Sequence, residues 1–219
     1  MGKLILVRHG NSVWNQKNIF TGWVDVSLSK KGVSEASEAG KALANVKFDS
    51  IFTSTLSRAI MTLQLLMLEN HDERTLILNH PGGERFTHGV DLQTSILAEC
   101  AEQLNERYYG DLQGKNKDWV KAHLGRDRFN EVRRSFAIAP PNGESLQMTV
   151  ERTLPYFNAA ILPRVKMGEV VLVVAHGNSL RGIIKEVMNI SDDQIVKLEI
   201  ETGHPLFFEF FDGSFRREG

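Results

Sequence analysis

Cysteine is nearly missing from this sequence. The one thiol, Cys100, rules out an internal disulfide, and no Cys-x-x-Cys pair exists for zinc binding or electron exchange. Net charge is missing too, since 26 Lys and Arg stand against 27 Asp and Glu. A chain so balanced lacks the global basic field that draws nucleic acid or an anionic membrane, so any strong anion must be held by a local cluster of cations. Long apolar runs are the third absence. The longest, Val170–Ala175, is far below the roughly 20 residues that span a bilayer, and Leu4–Val7 is too short for a signal peptide. Leu6 stands where N-myristoylation needs Ser or Thr. A cytoplasmic protein with neither nucleic-acid nor membrane partners is expected. There is also no Gly-x-x-x-x-Gly-Lys-Ser/Thr, Gly-x-Gly-x-x-Gly, His-Glu-x-x-His or Gly-x-Ser-x-Gly. That argues against nucleotide kinases, dinucleotide oxidoreductases, zincins and the common serine hydrolases.

What is present reads as one α/β domain over residues 1–219. Lys3–Val7 is a β-branched, apolar strand, and Ser29 caps a helix with Val33, Ala36, Gly40, Leu43 and Ala44 on one face. Ser50–Ser54 and Ser57 to about Glu69 repeat the strand-helix order, which predicts a parallel sheet. From about Asn70 to Ser95 the pattern breaks, and Asn79–Gly89, with Pro81 and three glycines, reads as a surface excursion. Helices are predicted over Asp118–Leu124, stopped by Gly125, over Asp127–Ser135, and from Ser145, with Pro155 as a kink. Glu169–Ala175 is apolar throughout, as a central parallel strand covered on both faces should be. Val196–Ile200 and Leu206–Phe210 alternate like late strands.

Two turns share one design. His9-Gly10 follows the first strand and His176-Gly177 the strongest one. Ligands of open parallel sheets bind beyond the carboxyl ends of strands, so the two histidines are expected to meet there. Each glycine lets the backbone approach a ligand, and Asn178-Ser179 open a helix whose free N–H groups favour an anion. Arg8 adds a planar fork for phosphate oxygens, and a neutral imidazole offers a nucleophilic nitrogen. The combination suits phosphoryl transfer, which rests on positioning and charge stabilisation. Trp14 and Trp23 read as packing residues, His80 and His88 as part of a polar loop, and Cys100 as a small apolar filler.

Leu6-Val7-Arg8-His9-Gly10 resembles the signature of the histidine phosphatase superfamily. Ser12-x-Trp14-Asn15, Phe20-Thr21-Gly22-Trp23, Thr53-Ser54-x-Leu56-x-Arg58-Ala59, Leu104–Lys117, Arg133-Arg134-Ser135-Phe136 and Val174–Arg181 narrow the resemblance to its cofactor-dependent phosphoglycerate mutase branch. The resemblance implies a three-layer α/β/α sandwich with a mostly parallel central sheet. It implies interconversion of 3- and 2-phosphoglycerate, primed by 2,3-bisphosphoglycerate and without a metal. His9 would be the nucleophile, with Arg8, Arg58 and His176 on the transferring phosphoryl group and Asn15, Gly177 and Asn178 beside them. Glu106 would pass the substrate proton, a role for which burial should raise its pKa. Thr21, Gly22, Arg107, Tyr108, Tyr109, Lys117, Arg133 and Arg134 would hold the rest of the phosphoglycerate.

The sequence departs from that branch in places. Asn11 replaces a usual Glu, the interval from Arg58 to Glu106 is long, and little chain follows Phe208. The excursion at 70–95, the tail, or both are expected to govern how much phosphate leaks to water. A phosphatase of the same superfamily is the alternative reading, and the resemblance leaves open whether the chain forms a homo-oligomer.

Overall fold

Side-chain alternation along the central strands decides which helices cover which face. The computed structural model describes residues 1–218. The first half of the chain runs through β1 (Gly2–Arg8), α1 (Val13–Gln16), α2 (Lys30–Ala42), β2 (Ser50–Thr53), α3 (Ser57–Glu69), β3 (Thr75–Asn79), α4 (Glu84–Thr87) and β4 (Ser95–Cys100). The second half adds α5 (Lys117–Leu124), α6 (Arg126–Arg134), α7 (Leu146–Tyr156), α8 (Leu162–Lys166), β5 (Val170–Ala175), α9 (Gly177–Val187), α10 (Asp192–Ile195), β6 (Pro205–Phe211) and β7 (Ser214–Arg217). The strands form one sheet in the order β3-β4-β2-β5-β1-β6-β7, parallel from β3 to β1 and antiparallel at β6 and β7.

Leu4 and Leu6 of β1, with Val171, Val173 and Ala175 of β5, turn to the face covered by α7, α8 and α9. Ile5, Val7, Leu172 and Val174 turn the other way, against Ala39, Leu43, Leu63 and Leu66 of the α2–α3 layer. The result is the three-layer α/β/α sandwich that the resemblance implies. Serines start the helices as expected. Ser29 Oγ accepts the Gly32 N–H at 3.1 Å and Ser145 Oγ the Met148 N–H at 3.1 Å, each removing an orphan donor from a first turn.

Two expectations need correction. The 70–95 segment is no loose excursion: β3 and β4 extend the parallel sheet by two strands, and only the short piece between them leaves it. Its apolar positions, Leu76, Ile77 and Leu78, were obscured by the polar residues on both sides. Val196–Ile200 is not a strand but an irregular segment after α10, because Arg181 takes the Leu198 carbonyl and Arg8 that of Ile200. Pro155, expected as a kink, lies inside α7. α7 continues into a π-helical turn at Phe157–Ile161 and then α8, a local widening that absorbs the bond a proline cannot make.

Candidate active site

β1 and β5 are adjacent and parallel, so both His-Gly turns leave the same edge of the sheet. His9 and His176 are buried there, with ring centroids 4.9 Å apart. The His9 ring is held by its Nδ1–H, which donates to the Gly10 carbonyl at 2.7 Å. That bond fixes the tautomer and leaves the Nε2 lone pair for attack. Burial, then the charges of Arg58 and Arg8, keep His9 well below the usual 6.5, so the imidazole is neutral. His176 is held low by burial and by Arg58, His9 and Arg8. Its Nε2 lies 2.7 Å from Ser54 Oγ, which itself accepts the Leu56 N–H. Nδ1 of His176 has no partner among the described residues.

Neutral in the fold, both imidazoles gain protons on unfolding once pH drops below about 6.5. Their stabilisation is complete above that pH and drains away below it. The unfolding temperature should therefore fall between about pH 7.5 and about pH 5.5, and His9→Gln should flatten that fall. Thermal melts of the two proteins test this, and identical slopes would rule out His9 as a source.

Six cationic side chains line the cavity over this edge: Arg8, Arg58, Lys117, Arg133, Arg134 and Arg181. Glu106 and Glu199 are the carboxylates among them, and Asn15, Thr21, Gly22, Tyr109, Gly177 and Asn178 complete most of its wall. Arg58 donates to the Gly22 carbonyl at 2.7 Å and is 1% exposed, and burial pushes its pKa down to about 10. Arg8 spends one nitrogen on the Ile200 carbonyl at 2.7 Å while its buried Nε, like Thr21 Oγ1, finds no partner among the described residues. Lys117, Arg133 and Arg134 arrive on α5 and α6, which stand on a small core of Phe20, Leu112, Val120, Phe129 and Val132. Burial lowers the pKa of Lys117.

Glu106 departs from expectation. Burial does push its pKa up, but the Arg107 N–H at 2.7 Å, the Asn178 amide at 2.7 Å and the charges of Arg58 and Arg8 outweigh it, and the net shift is downward. The Asn178 backbone N–H also donates to Glu106 at 3.3 Å, so the α9 N-terminus, expected to await a ligand, already faces a carboxylate.

Two expected ligand residues stand away from the cavity. The Arg107 guanidinium lies 4.5 Å from the Tyr109 ring and donates to the Val132 and Arg133 carbonyls, bracing the end of α6. Tyr108 packs edge-on against Trp23 at 6.0 Å. Gly10 also makes a close backbone contact of its own. A Cβ there would strike the Gly32 carbonyl, and one at Gly32 would strike that of Asn11, so the two glycines let the nucleophile turn lie directly on α2. Asn11 is tied into the same contact, and its N–H donates to Glu35 Oε2 at 2.7 Å. A carboxylate thus stands beside the turn although residue 11 carries none. Among the described residues, none of the 70–95 segment or of β7 lines the cavity, whose wall includes Val196, Glu199 and Ile200. Sequence reasoning missed Arg181 and Glu199. Arg181 lies about one helical turn beyond Asn178, a usable signal. Nothing marks Glu199, which meets Arg134 at 3.3 Å and Arg181 at 3.7 Å.

Comparison with known proteins agrees with this geometry. The chain matches the family model of the Histidine phosphatase superfamily (branch 1) over residues 4–77 and 88–218, leaving out the end of β3 and the first part of the connection that follows it. A 2,3-bisphosphoglycerate-dependent phosphoglycerate mutase of Chlamydia muridarum is 44% identical over 99% of this chain and 97% of its own. The protein of that name from Protochlamydia amoebophila is 46% identical over 96% of each chain. The crystal structure of phosphoglycerate mutase from Bacillus anthracis shares the fold, with a TM-score of 0.75 and 22% identity over 99% of this chain and 91% of that one.

Proposed function

Because the chain belongs to the histidine phosphatase superfamily, and within it to the 2,3-bisphosphoglycerate-dependent phosphoglycerate mutases, we propose that it interconverts 3- and 2-phosphoglycerate through a phosphorylated His9. One observation carries the reading of the site: a neutral, buried imidazole with a free Nε2 sits under a cationic cavity that also holds a carboxylate. His9 Nε2 forms the new bond to phosphorus as the ester P–O bond breaks. Arg8, Arg58 and His176 take the charge on the phosphoryl oxygens, and the orphaned Arg8 Nε is a donor in want of such an oxygen. Glu106 gives a proton to the leaving oxygen and takes one from the attacking hydroxyl on return. Lys117, Arg133 and Arg134, carried into the cavity wall by α5 and α6, suit the carboxylate and second phosphate of these substrates. The same donor set fits 2,3-bisphosphoglycerate, which supplies the priming phosphoryl group to His9.

Purified protein incubated with 3-phosphoglycerate and EDTA should form 2-phosphoglycerate when catalytic 2,3-bisphosphoglycerate is present, with little free phosphate. Free phosphate as the main product would replace the mutase by a hydrolase.

A further inference from the structure

Arg152 lies outside the cavity, yet its guanidinium gathers the backbone that carries Glu106. Projecting from α7, its Nη1 donates to the Glu102 and Gln103 carbonyls at 3.0 and 2.9 Å. Its Nη2 reaches the Asn105 and Glu106 carbonyls at 3.4 and 3.3 Å. Nε and Nη2 also grip the two oxygens of Glu144 at 2.9 Å each. Glu144 in turn accepts the Tyr108 N–H at 2.9 Å. The ion pair therefore holds the chain on both sides of Glu106, up to its own carbonyl and two residues beyond it. Trp23 adds a third hold, its indole N–H donating to the Glu106 carbonyl at 2.5 Å while Arg152 Cζ lies 5.4 Å from the ring.

The frame to which Glu106 is thereby referred matters more than the number of bonds. α7 packs on α9 where Gly182 lies beside Val150 and Thr153, and α9 begins at the turn that carries His176 and Asn178. Asn178 holds the Glu106 carboxylate directly. Arg152 fixes the backbone of Glu106 to the same pair of helices from the other side. A glutamate has three rotatable bonds, so a carboxylate that must meet a moving proton needs a fixed backbone as well as a fixed tip.

We propose that Arg152, backed by Glu144, is a positioning residue that sets the place of the Glu106 carboxylate for proton transfer. The proposal rests on the reading of Glu106 as the proton carrier. Because the guanidinium matches several carbonyls and a carboxylate at once through a planar fork, lysine is a partial substitute.

The experiment is a double-mutant cycle between Arg152→Gln and Glu106→Gln, read as kcat and KM in the mutase assay. Arg152→Gln should lower kcat by about 10- to 100-fold, leave KM within about twofold, and be partly repaired in Arg152→Lys. In a Glu106→Gln background the same change should cost less than about twofold, because the group it positions has lost its function. Full additivity, or an Arg152→Gln protein with unchanged kcat, would overturn the proposal. If Arg152→Gln melts at the assay temperature, Arg152→Lys and Glu144→Gln enter the same cycle. A wild-type protein releasing only free phosphate would overturn the mutase reading instead. The cycle then runs on phosphate release, where the leaving oxygen needs the same proton.

Discussion

Turnover should fall by about 10⁴-fold or more when His9 is replaced by glutamine. The substitution removes the one group in the cavity built as a nucleophile. The His9 Nδ1–H is spent on the Gly10 carbonyl, and burial among Arg58 and Arg8 keeps the ring neutral, so Nε2 is permanently available. Glutamine can reach the same carbonyl with its amide but brings no basic nitrogen to phosphorus. The cationic wall is untouched, so substrate should still bind. The measurement is kcat together with acid-labile labelling of the protein by a radioactive phosphoryl donor. His9→Gln should lose both, and a variant that keeps either would show that phosphorus is attacked by something else.

Glu106→Gln should lower kcat by about 10²- to 10⁴-fold, the usual range for a lost general acid or base. Glutamine preserves the length and an oxygen for the Arg107 and Asn178 donors, so position survives while the transferable proton does not. KM should change little. Equal loss in kcat and affinity would mean that the carboxylate mainly binds substrate. Burial raises the pKa of Glu106, but its hydrogen bonds with Arg107 and Asn178 and the charges of Arg58 and Arg8 bring it down overall. Those two cations are the ones a phosphoryl group on His9 offsets, so phosphorylation is expected to make the Glu106 carboxylate a stronger base towards the attacking hydroxyl.

Much of the fold was legible because its determinants are local. The apolar runs at Leu4–Val7 and Val170–Ala175, and Ser29 and Ser145 as caps, state their structure within a few residues. The meeting of His9 and His176 was legible for a topological reason, since parallel strands deliver their turns to one edge. Other features depend on contacts distant in sequence. Val196–Ile200 has strand-like alternation, yet its carbonyls bond to arginines of β1 and α9 rather than to a neighbouring strand. Arg107 looks like a ligand residue beside Glu106, but its guanidinium lies over the Tyr109 ring and donates to the Val132 and Arg133 carbonyls, contacts distant in sequence. The contact of Gly10 with Gly32 needs the His9 turn and α2 in place before either glycine makes sense.

The strand order also governs when this protein becomes an enzyme. β1 pairs only with β5 and β6, so the first strand made is the one that waits longest for a neighbour. On a ribosome, the segment leading into His9 emerges early and stays without its sheet until Val170–Ala175 has been synthesised. Pairing across so long a stretch of chain slows folding and leaves an apolar segment exposed while synthesis continues. A nascent chain stopped before β5 contains the nucleophile and Glu106 but not His176 or Asn178, and the strand beside the turn at His9 is missing. Such fragments should be inert towards phosphate esters rather than weakly hydrolytic. Catalytic competence then arrives near the end of translation, in one cooperative step.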